Sequence, residues 1–469
     1  MQLIGSGSVE RPAYIIPIKR QFTVEGRIWE PQVKSVRRLD NDRISNLPIE
    51  LMHCIFGRLP VHDAAKTSVL SKTWRNVWKM HPVVILDEQF FLKVMFKNKN
   101  SLLSPSSNSY FSTLANGTSI CHIFTAAVSM ILSSHTGPIL DFKLYIPKKL
   151  GMLHIHRSIK QLMYKGVKTL VLCNSERSAL SSPNLFDCSE LIQSRLSEPT
   201  LHSKCFANLT TVRLVEISIS SDMSFGTQIQ ELYLEKCEGI EHLACQLTTS
   251  NNLRTLNISR SETIDCRWIE CTKKLECFGL QLPAANSNTN KSVDLISLLS
   301  NSPRINTLLL NGFTLEVLGR GLSVLDERTT KMVNLKKLRL YRLGYNTRQI
   351  STCLSLIRNL PNLEDLFIGL ELEGRKSSNP AGSTVERHLE SLDWKDVLLD
   401  RLEVVKINGV DGSRAELHLI KLILASSPLL RVISLACSKT VRDPEEKLRI
   451  EQELLLLPRK SMASQIVWL

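Results

Sequence analysis

The sequence predicts an α/β chain in which a short bundle of three helices leads into a long, irregular solenoid of strand-bearing repeats. Two observations carry this expectation. The first is a pattern, apolar-x-x-apolar-x-apolar, that returns from Ile139 onward at intervals of roughly 20 to 40 residues. The second is a compact segment from about Asn41 to Met80 with helical spacing of its apolar residues and two tryptophans, Trp74 and Trp78. At 469 residues and 43% hydrophobic content the chain is long and apolar enough for two or three domains with a large core.

The repeated pattern reads ILDFKL from Ile139, VKTLVL from Val167, LTTVRL from Leu209, IQELYL from Ile229, LRTLNI from Leu253 and LECFGL from Leu275. It continues as INTLLL from Ile305, LKKLRL from Leu335, LEDLFI from Leu363, LEVVKI from Leu402 and LRVISL from Leu430. Any amphipathic strand alternates in this way, so one instance says little, but its recurrence along one chain says much. Several instances follow asparagine, as in Asn208-Leu209, Asn252-Leu253, Asn334-Leu335 and Asn362-Leu363. This resembles the leucine-rich repeat, in which one short parallel strand and a return segment make a coil, and stacked coils bury a common core. Helical spacing in the return segments supports the unit. Cys353, Leu354 and Ile357 share one side, and Val293, Leu295, Ile296, Leu298 and Leu299 do the same before Ser302-Pro303.

The helical segment begins at Asn46-Leu47-Pro48, with Pro48 in the first turn and Glu50 near the positive helix end. Leu51, Ile55 and Leu59 recur every four residues, joined by Met52 and Phe56, and Gly57 and Pro60 close the helix. Asp63 is a candidate cap for a second helix carrying Ala64, Ala65 and Val69, and Ser71 for a third carrying Leu70, Trp74, Val77 and Trp78 on one stripe. A bundle this small has little interior, so much of its apolar surface is better buried against a partner. Leu47-Pro48, Ile55, Leu59-Pro60, Ala64-Ala65, Ser68-Val69-Leu70-Ser71-Lys72 and Trp74-Arg75-Asn76-Val77-Trp78 resemble the F-box of plant F-box proteins. That resemblance implies docking onto a Skp-type adaptor, and through it onto a cullin-RING complex. It assigns the contact to Leu47, Pro48, Ile49, Ile55 and Leu59, with Val69, Leu70 and Trp74 at matching positions of the later helices.

The C-terminal region, with a strand from Leu402, the turn Gly409-Val410-Asp411-Gly412, a helix from Glu416 to Ala425, a strand from Leu430 and a terminal strand around Ile466, resembles the FBD region of the same plant family. Physically it stands where a solenoid needs a cap over its last core layer. The expected division is a flexible arm at 1–40, the F-box at 41–82, a linker and first irregular coil at 83–135, leucine-rich repeats at 136–400 and the FBD-like region at 401–469.

In such a solenoid the alternate strand positions point outward on the concave face. Tyr233, Lys337, Arg339, Tyr341, Asp365 and Phe367 are the expected target-binding candidates there, because aromatic residues and arginine dominate protein interfaces. The net charge is +14, but the basic residues are scattered, so a nucleic-acid partner is not expected and a solvated surface is the simpler account. The 12 cysteines form no C-x-x-C pair, and the group Cys237, Cys245, Cys266, Cys271 and Cys277 fits neither a zinc finger nor a disulfide framework; His154 and His156, two apart, could share one strand face as metal ligands, but a surface or core pair is the simpler account. No cofactor is expected. A signal peptide and a membrane span are not apparent, so a cytoplasmic or nuclear location is expected. Gly-rich phosphate loops, G-x-S-x-G and H-E-x-x-H are absent from the sequence. The expected function is therefore a non-catalytic, substrate-recruiting subunit of a ubiquitin ligase. The alternative is a repeat scaffold or nucleic-acid-associated protein acting outside such a complex.

Overall fold

The computed structural model describes residues 46–94, 117–146, 164–174, 208–219, 227–243, 252–261, 272–283, 304–321, 332–344, 346–371, 397–438 and 444–469, with single positions between them. The N-terminal arm, the linker at 101–110, the His154/His156 pair, the helix around Leu295 and Cys245, Cys266 and Cys271 lie outside the described residues. Residues 1–46 and 47–469 form separate units.

Three helices come first: α1 (Ile49–Phe56), α2 (Val61–Thr67) and α3 (Lys72–Met80). A 13-stranded, all-parallel sheet follows, whose strands neighbour one another in chain order. These are β1 (Val83–Leu86), β2 (Asp141–Ile146), β3 (Thr169–Asn174), β4 (Thr211–Val215), β5 (Glu231–Glu235), β6 (Thr255–Ser259) and β7 (Cys277–Gln281). Then come β8 (Thr307–Asn311), β9 (Lys337–Leu343), β10 (Asp365–Leu370), β11 (Val404–Val410), β12 (Val432–Cys437) and β13 (Gln465–Trp468). Sequential parallel pairing without reversal is the topology of a solenoid, one strand per coil. Each instance of the apolar pattern falls on one of β2 to β12.

The pattern follows from burial. The first apolar position lies in the turn before each strand, and the other two are the second and fourth strand residues. Leu232 and Leu234, Leu256 and Ile258, Leu308 and Leu310, and Leu338 and Leu340 are all buried, as are the upstream Ile229, Leu253, Ile305 and Leu335. Asparagine before the first leucine also has a cause. The Asn252 amide donates to the Thr227 carbonyl at 3.2 Å and that of Asn362 to Val333 at 2.7 Å, which ties each turn to the preceding coil. The sixth position of several strands leaves the sheet with positive φ, at Glu216, Lys236, Arg260, Arg342 and Gly409. Only the last is a glycine; at the other four the stacked coils hold an unfavoured backbone.

Between β1 and β2 lies α4 (Gly117–Ser134), which buries Phe124, Val128 and Leu132. Neither β1 nor α4 was specified by the sequence reading. The return helices α5 (Gly312–Gly321), α6 (Thr347–Arg358), α7 (Arg414–Ser426) and α8 (Pro444–Leu455) include the one expected at Cys353 and the one expected from Glu416. The start of α7 is a capping box extended into the preceding turn. The Ser413 hydroxyl accepts from the Glu416 N–H, and the buried Glu416 carboxylate accepts from the Asp411 and Gly412 N–H groups, both at 2.8 Å.

Candidate protein-docking surfaces

The helices of the bundle divide their apolar residues between two faces. In α1, Met52 and Phe56 turn inward and are buried, whereas Ile49, Leu51 and Ile55 face solvent. The single stripe expected from the four-residue spacing is thus two stripes of opposite use. Leu47 and Leu59 are partly buried and pack against the core from either end of the helix, and Pro48 is the exposed N-cap residue rather than part of the first turn. Helix α2 is entered at Pro60, not capped by Asp63, which instead pairs with Lys66 at 3.0 Å. It ends at Thr67, so Val69 and Leu70 lie beyond it, in the turn before α3, and both are largely exposed. Ser71 caps α3 as expected, accepting from the Trp74 N–H at 3.3 Å.

Trp74 is placed differently from the expectation. Its side chain is buried with Val77 and Trp78, and its ring meets Phe56 edge-on at 5.3 Å between centroids. A two-tryptophan helix in so small a bundle has to spend its largest side chains on the interior. Trp74 therefore lies behind the exposed apolar face, and Leu70 belongs to that face rather than to the Trp74 stripe.

The second surface is the outward row of the strands. Sheet register sets Arg213 beside Tyr233, Tyr233 beside Asn257, Leu309 beside Arg339, Arg339 beside Phe367, and Phe367 beside Lys406. Arg339 grips Asp365 with both guanidinium nitrogens, Nη1 to Oδ1 at 2.7 Å and Nη2 to Oδ2. The Tyr341 and Phe367 rings lie 5.2 Å apart. Lys337, Arg339, Tyr341, Asp365 and Phe367 are thus brought together on β9 and β10. Tyr233 stands apart on β5, where burial and the neighbouring Glu231 carboxylate push its hydroxyl up to about 12. A second ionic group links Arg213 to Glu235 at 3.4 Å and Arg260 to Glu235 at 3.6 Å. The apolar pattern gives no sign of these cross-strand partners, which lie more than 20 residues apart in sequence.

Three of the described thiols are poor nucleophiles, while Cys54 is exposed. Burial raises Cys237 and Cys353 to about 12 and Cys277 to about 11. Among the described residues no group of three or more histidine, cysteine or acidic side chains is placed to hold a metal ion. Nor, among them, is any helix long and apolar enough to cross a membrane.

A three-helix bundle that leaves Ile49, Leu51, Ile55, Val69 and Leu70 exposed, followed by a sequential parallel sheet, has the architecture of an F-box and a leucine-rich-repeat solenoid. Residues 44–86 match the F-box domain family, a match that runs through α3 and into β1. Over most of its length the chain is similar to plant proteins of the F-box/FBD/LRR-repeat kind. One from Arabidopsis thaliana is 26% identical over 91% of this chain and 98% of its own length. F-box/LRR-repeat protein 13 of the same plant is 25% identical over 93% and 99%. Among solved structures, an internalin from Listeria monocytogenes aligns over 73% of this chain and 94% of its own, with 13% identity and a TM-score of 0.28. The leucine-rich repeat-containing protein LegL7 from Legionella pneumophila aligns over 67% and 97%, with 11% identity and a TM-score of 0.32. The solenoid architecture is carried by the strand order, not by these superpositions.

Proposed function

We propose that this chain is the substrate-recognition subunit of a Skp-cullin-F-box ubiquitin ligase, working in the cytoplasm or nucleus. It docks a Skp-type adaptor through the F-box and a target protein through the concave strand face. The observation that carries this reading is the F-box match at 44–86 on a bundle that leaves Ile49, Leu51, Ile55, Val69 and Leu70 in solvent. An exposed apolar cluster on so small a bundle costs solubility unless a partner covers it. We assign the adaptor contact to Pro48, Ile49, Leu51, Ile55, Val69 and Leu70, with Leu47 and Leu59 at its margin and Trp74 behind it. Target contact is assigned to Tyr233, Lys337, Arg339, Tyr341, Asp365 and Phe367.

The chain supplies no catalyst in this scheme. Ubiquitin passes from the E2 enzyme to the target, and the chain contributes proximity and orientation. The repeats belong to 136–400 and the FBD-like cap to 401–469, as the sequence pattern divides them. The test is direct. The purified chain, mixed with a purified Skp-type adaptor, elutes with it as one complex in size-exclusion chromatography. Separate elution of the two, with the chain folded by circular dichroism, would overturn the reading.

A further inference from the structure

We propose that β9–β11 form an anchor for an acidic segment of the partner, one that presents carboxylate groups on either side of an apolar residue. The proposal rests on the target-binding role given above to the concave face and names the chemistry of what binds there.

The argument begins with charge balance. The outward row of β9, β10 and β11 carries Lys337, Arg339 and Lys406 as cations and Asp365 as the one anion. Asp365 is taken up by the two-pronged contact with Arg339. Lys337 lies beside Asp365 in the register, but among the described residues neither it nor Lys406 forms an ion pair. The flanks of the same strands behave differently. Just before the strands, Lys336 meets Glu364 at 2.8 Å and Arg431 meets Glu403 at 3.3 Å. Just after the bend in β9, Arg342 meets Glu371 at 2.8 Å. On β4–β6 the cations Arg213 and Arg260 both face Glu235, with Glu231 alongside. Among the described residues the cations at these flanking points and on β4–β6 meet carboxylates, whereas Lys337 and Lys406 form no ion pair.

Geometry gives the spacing of the ligand. Lys337 is the first outward residue of β9 and Lys406 the second of β11, so they are separated by two strands laterally and two residues lengthwise. With strands about 4.8 Å apart and a rise of about 3.3 Å per residue, the two positions are about 12 Å apart, or three to four residues of extended chain. Between them lies Phe367, backed by the Tyr341 ring at 5.2 Å. An acid-x-x-acid segment with an apolar residue inside it places its charges on the two lysines and its apolar side chain on the ring pair. Arg339, held by Asp365, offers an ordered edge beside them and loses little freedom on binding.

The experiment uses the full chain and four fluorescein-labelled peptides with Gly-Ser flanks. Their cores are Glu-Leu-Phe-Glu-Glu, and the same core with glutamine, lysine or phosphoserine in place of glutamate. Fluorescence anisotropy at about 150 mM salt limits long-range attraction. The glutamate probe binds, and binding of the phosphoserine probe alone would overturn carboxylate as the ligand. The glutamine and lysine probes bind at least about tenfold more weakly. Lys337→Glu/Lys406→Glu weakens the acidic probes by about tenfold or more, and the neutral Lys337→Gln/Lys406→Gln does so in smaller measure. Lys421→Glu/Lys460→Glu, which carries the same charge change on exposed residues elsewhere, leaves them unchanged. Equal binding of the glutamate and glutamine probes, no binding of any probe, or equal losses in the patch and control variants would overturn the proposal. Adaptor co-elution, measured on the same samples, is read separately: its retention with failed probes removes this inference alone, and its absence in the unaltered chain removes the ubiquitin-ligase reading.

Discussion

Truncating Val69 and Leu70 together tests the adaptor face at the point where structure and sequence pattern part company. Val69 is 78% exposed and Leu70 58%. Full burial of such a side chain is worth about 1.5–3 kcal/mol, so covering the exposed fraction contributes about 1–2 kcal/mol for each. Val69→Ala/Leu70→Ala is expected to weaken adaptor binding by about 2–4 kcal/mol, which is about 30- to 1,000-fold in Kd. Stability changes little, by less than about 1 kcal/mol, because the lost methyl groups are already in water. Trp74→Ala is the counterpart. Only 2% of Trp74 is exposed, so its removal costs about 3–5 kcal/mol of stability through loss of its packing on Phe56 and the bundle interior. The assay is a titration against immobilised Skp-type adaptor, with thermal unfolding followed on the same samples. Wild-type affinity in Val69→Ala/Leu70→Ala refutes the assigned face. An adaptor defect in Trp74→Ala with an unchanged unfolding midpoint refutes the buried role of Trp74.

Two further outcomes follow from the titratable groups. No thioester between ubiquitin and Cys237, Cys277 or Cys353 forms in a non-reducing gel, because burial holds these three as thiols; a dithiothreitol-sensitive adduct mapped to one of them refutes this. Burial lifts Glu416 from its ordinary 4.5 to about 7 against the pull of three backbone N–H groups. The folded state thus holds this proton more tightly than the unfolded chain, so Glu416 costs stability progressively as pH rises from about 4.5 through about 7. Glu416→Gln removes that contribution. Its stability relative to wild type rises with pH over this window and levels off above it, as measured by urea unfolding; a pH-independent difference refutes the assignment.

Most of the solenoid was legible because its signal is repeated burial. Leu232 and Leu234 on β5 and Leu338 and Leu340 on β9 occupy the same two core positions, and that requirement writes one pattern into each coil. The strand β1 was hidden because Val83-Val84-Ile85-Leu86 is a short unbroken apolar run with no partner pattern before it. In α1 a spacing of four was consistent with one stripe, and only the direction of the core separates Met52 and Phe56 from Leu51 and Ile55. Trp74 carried two conflicting signals, its place in the F-box motif and its size, and packing decided for size. The outward residues of the strands were legible as positions but not as partners. Arg339 finds Asp365 through the register of β9 and β10, and nothing local to either residue specifies that register.

The junction between the F-box and the sheet decides whether the two docking surfaces work as one body. Only His81 and Pro82 separate α3 from β1. The Pro82 carbonyl accepts from the Leu140 and Asp141 N–H groups at 2.8 and 3.1 Å, and the Lys79 carbonyl from those of Thr136 and Gly137 at 2.9 and 3.1 Å. A side chain at Gly137 would meet the Met80 Cα at 2.8 Å, so glycine allows this close approach. Three histidines fill the seam. His53 Nδ1 and His81 Nδ1 are 3.0 Å apart, and the His135 ring meets Trp78 edge-on. Burial lowers His81 and His135 from 6.5 to about 4, helped by the other histidines at His81 and by Lys165 at His135. Both are neutral in the folded protein near neutral pH. Their contribution to stability is complete above about 6.5 and is lost as pH falls toward about 4, since the unfolded chain takes up the protons first. The expected result is a thermal midpoint that drops across that window in the wild type and drops less in His81→Gln/His135→Gln. Amide exchange at Thr136–Leu140 should accelerate in the same pH range, after correction for intrinsic exchange rates. Equal pH slopes in the two proteins would show that the seam is held by the backbone contacts and the Gly137–Met80 approach alone.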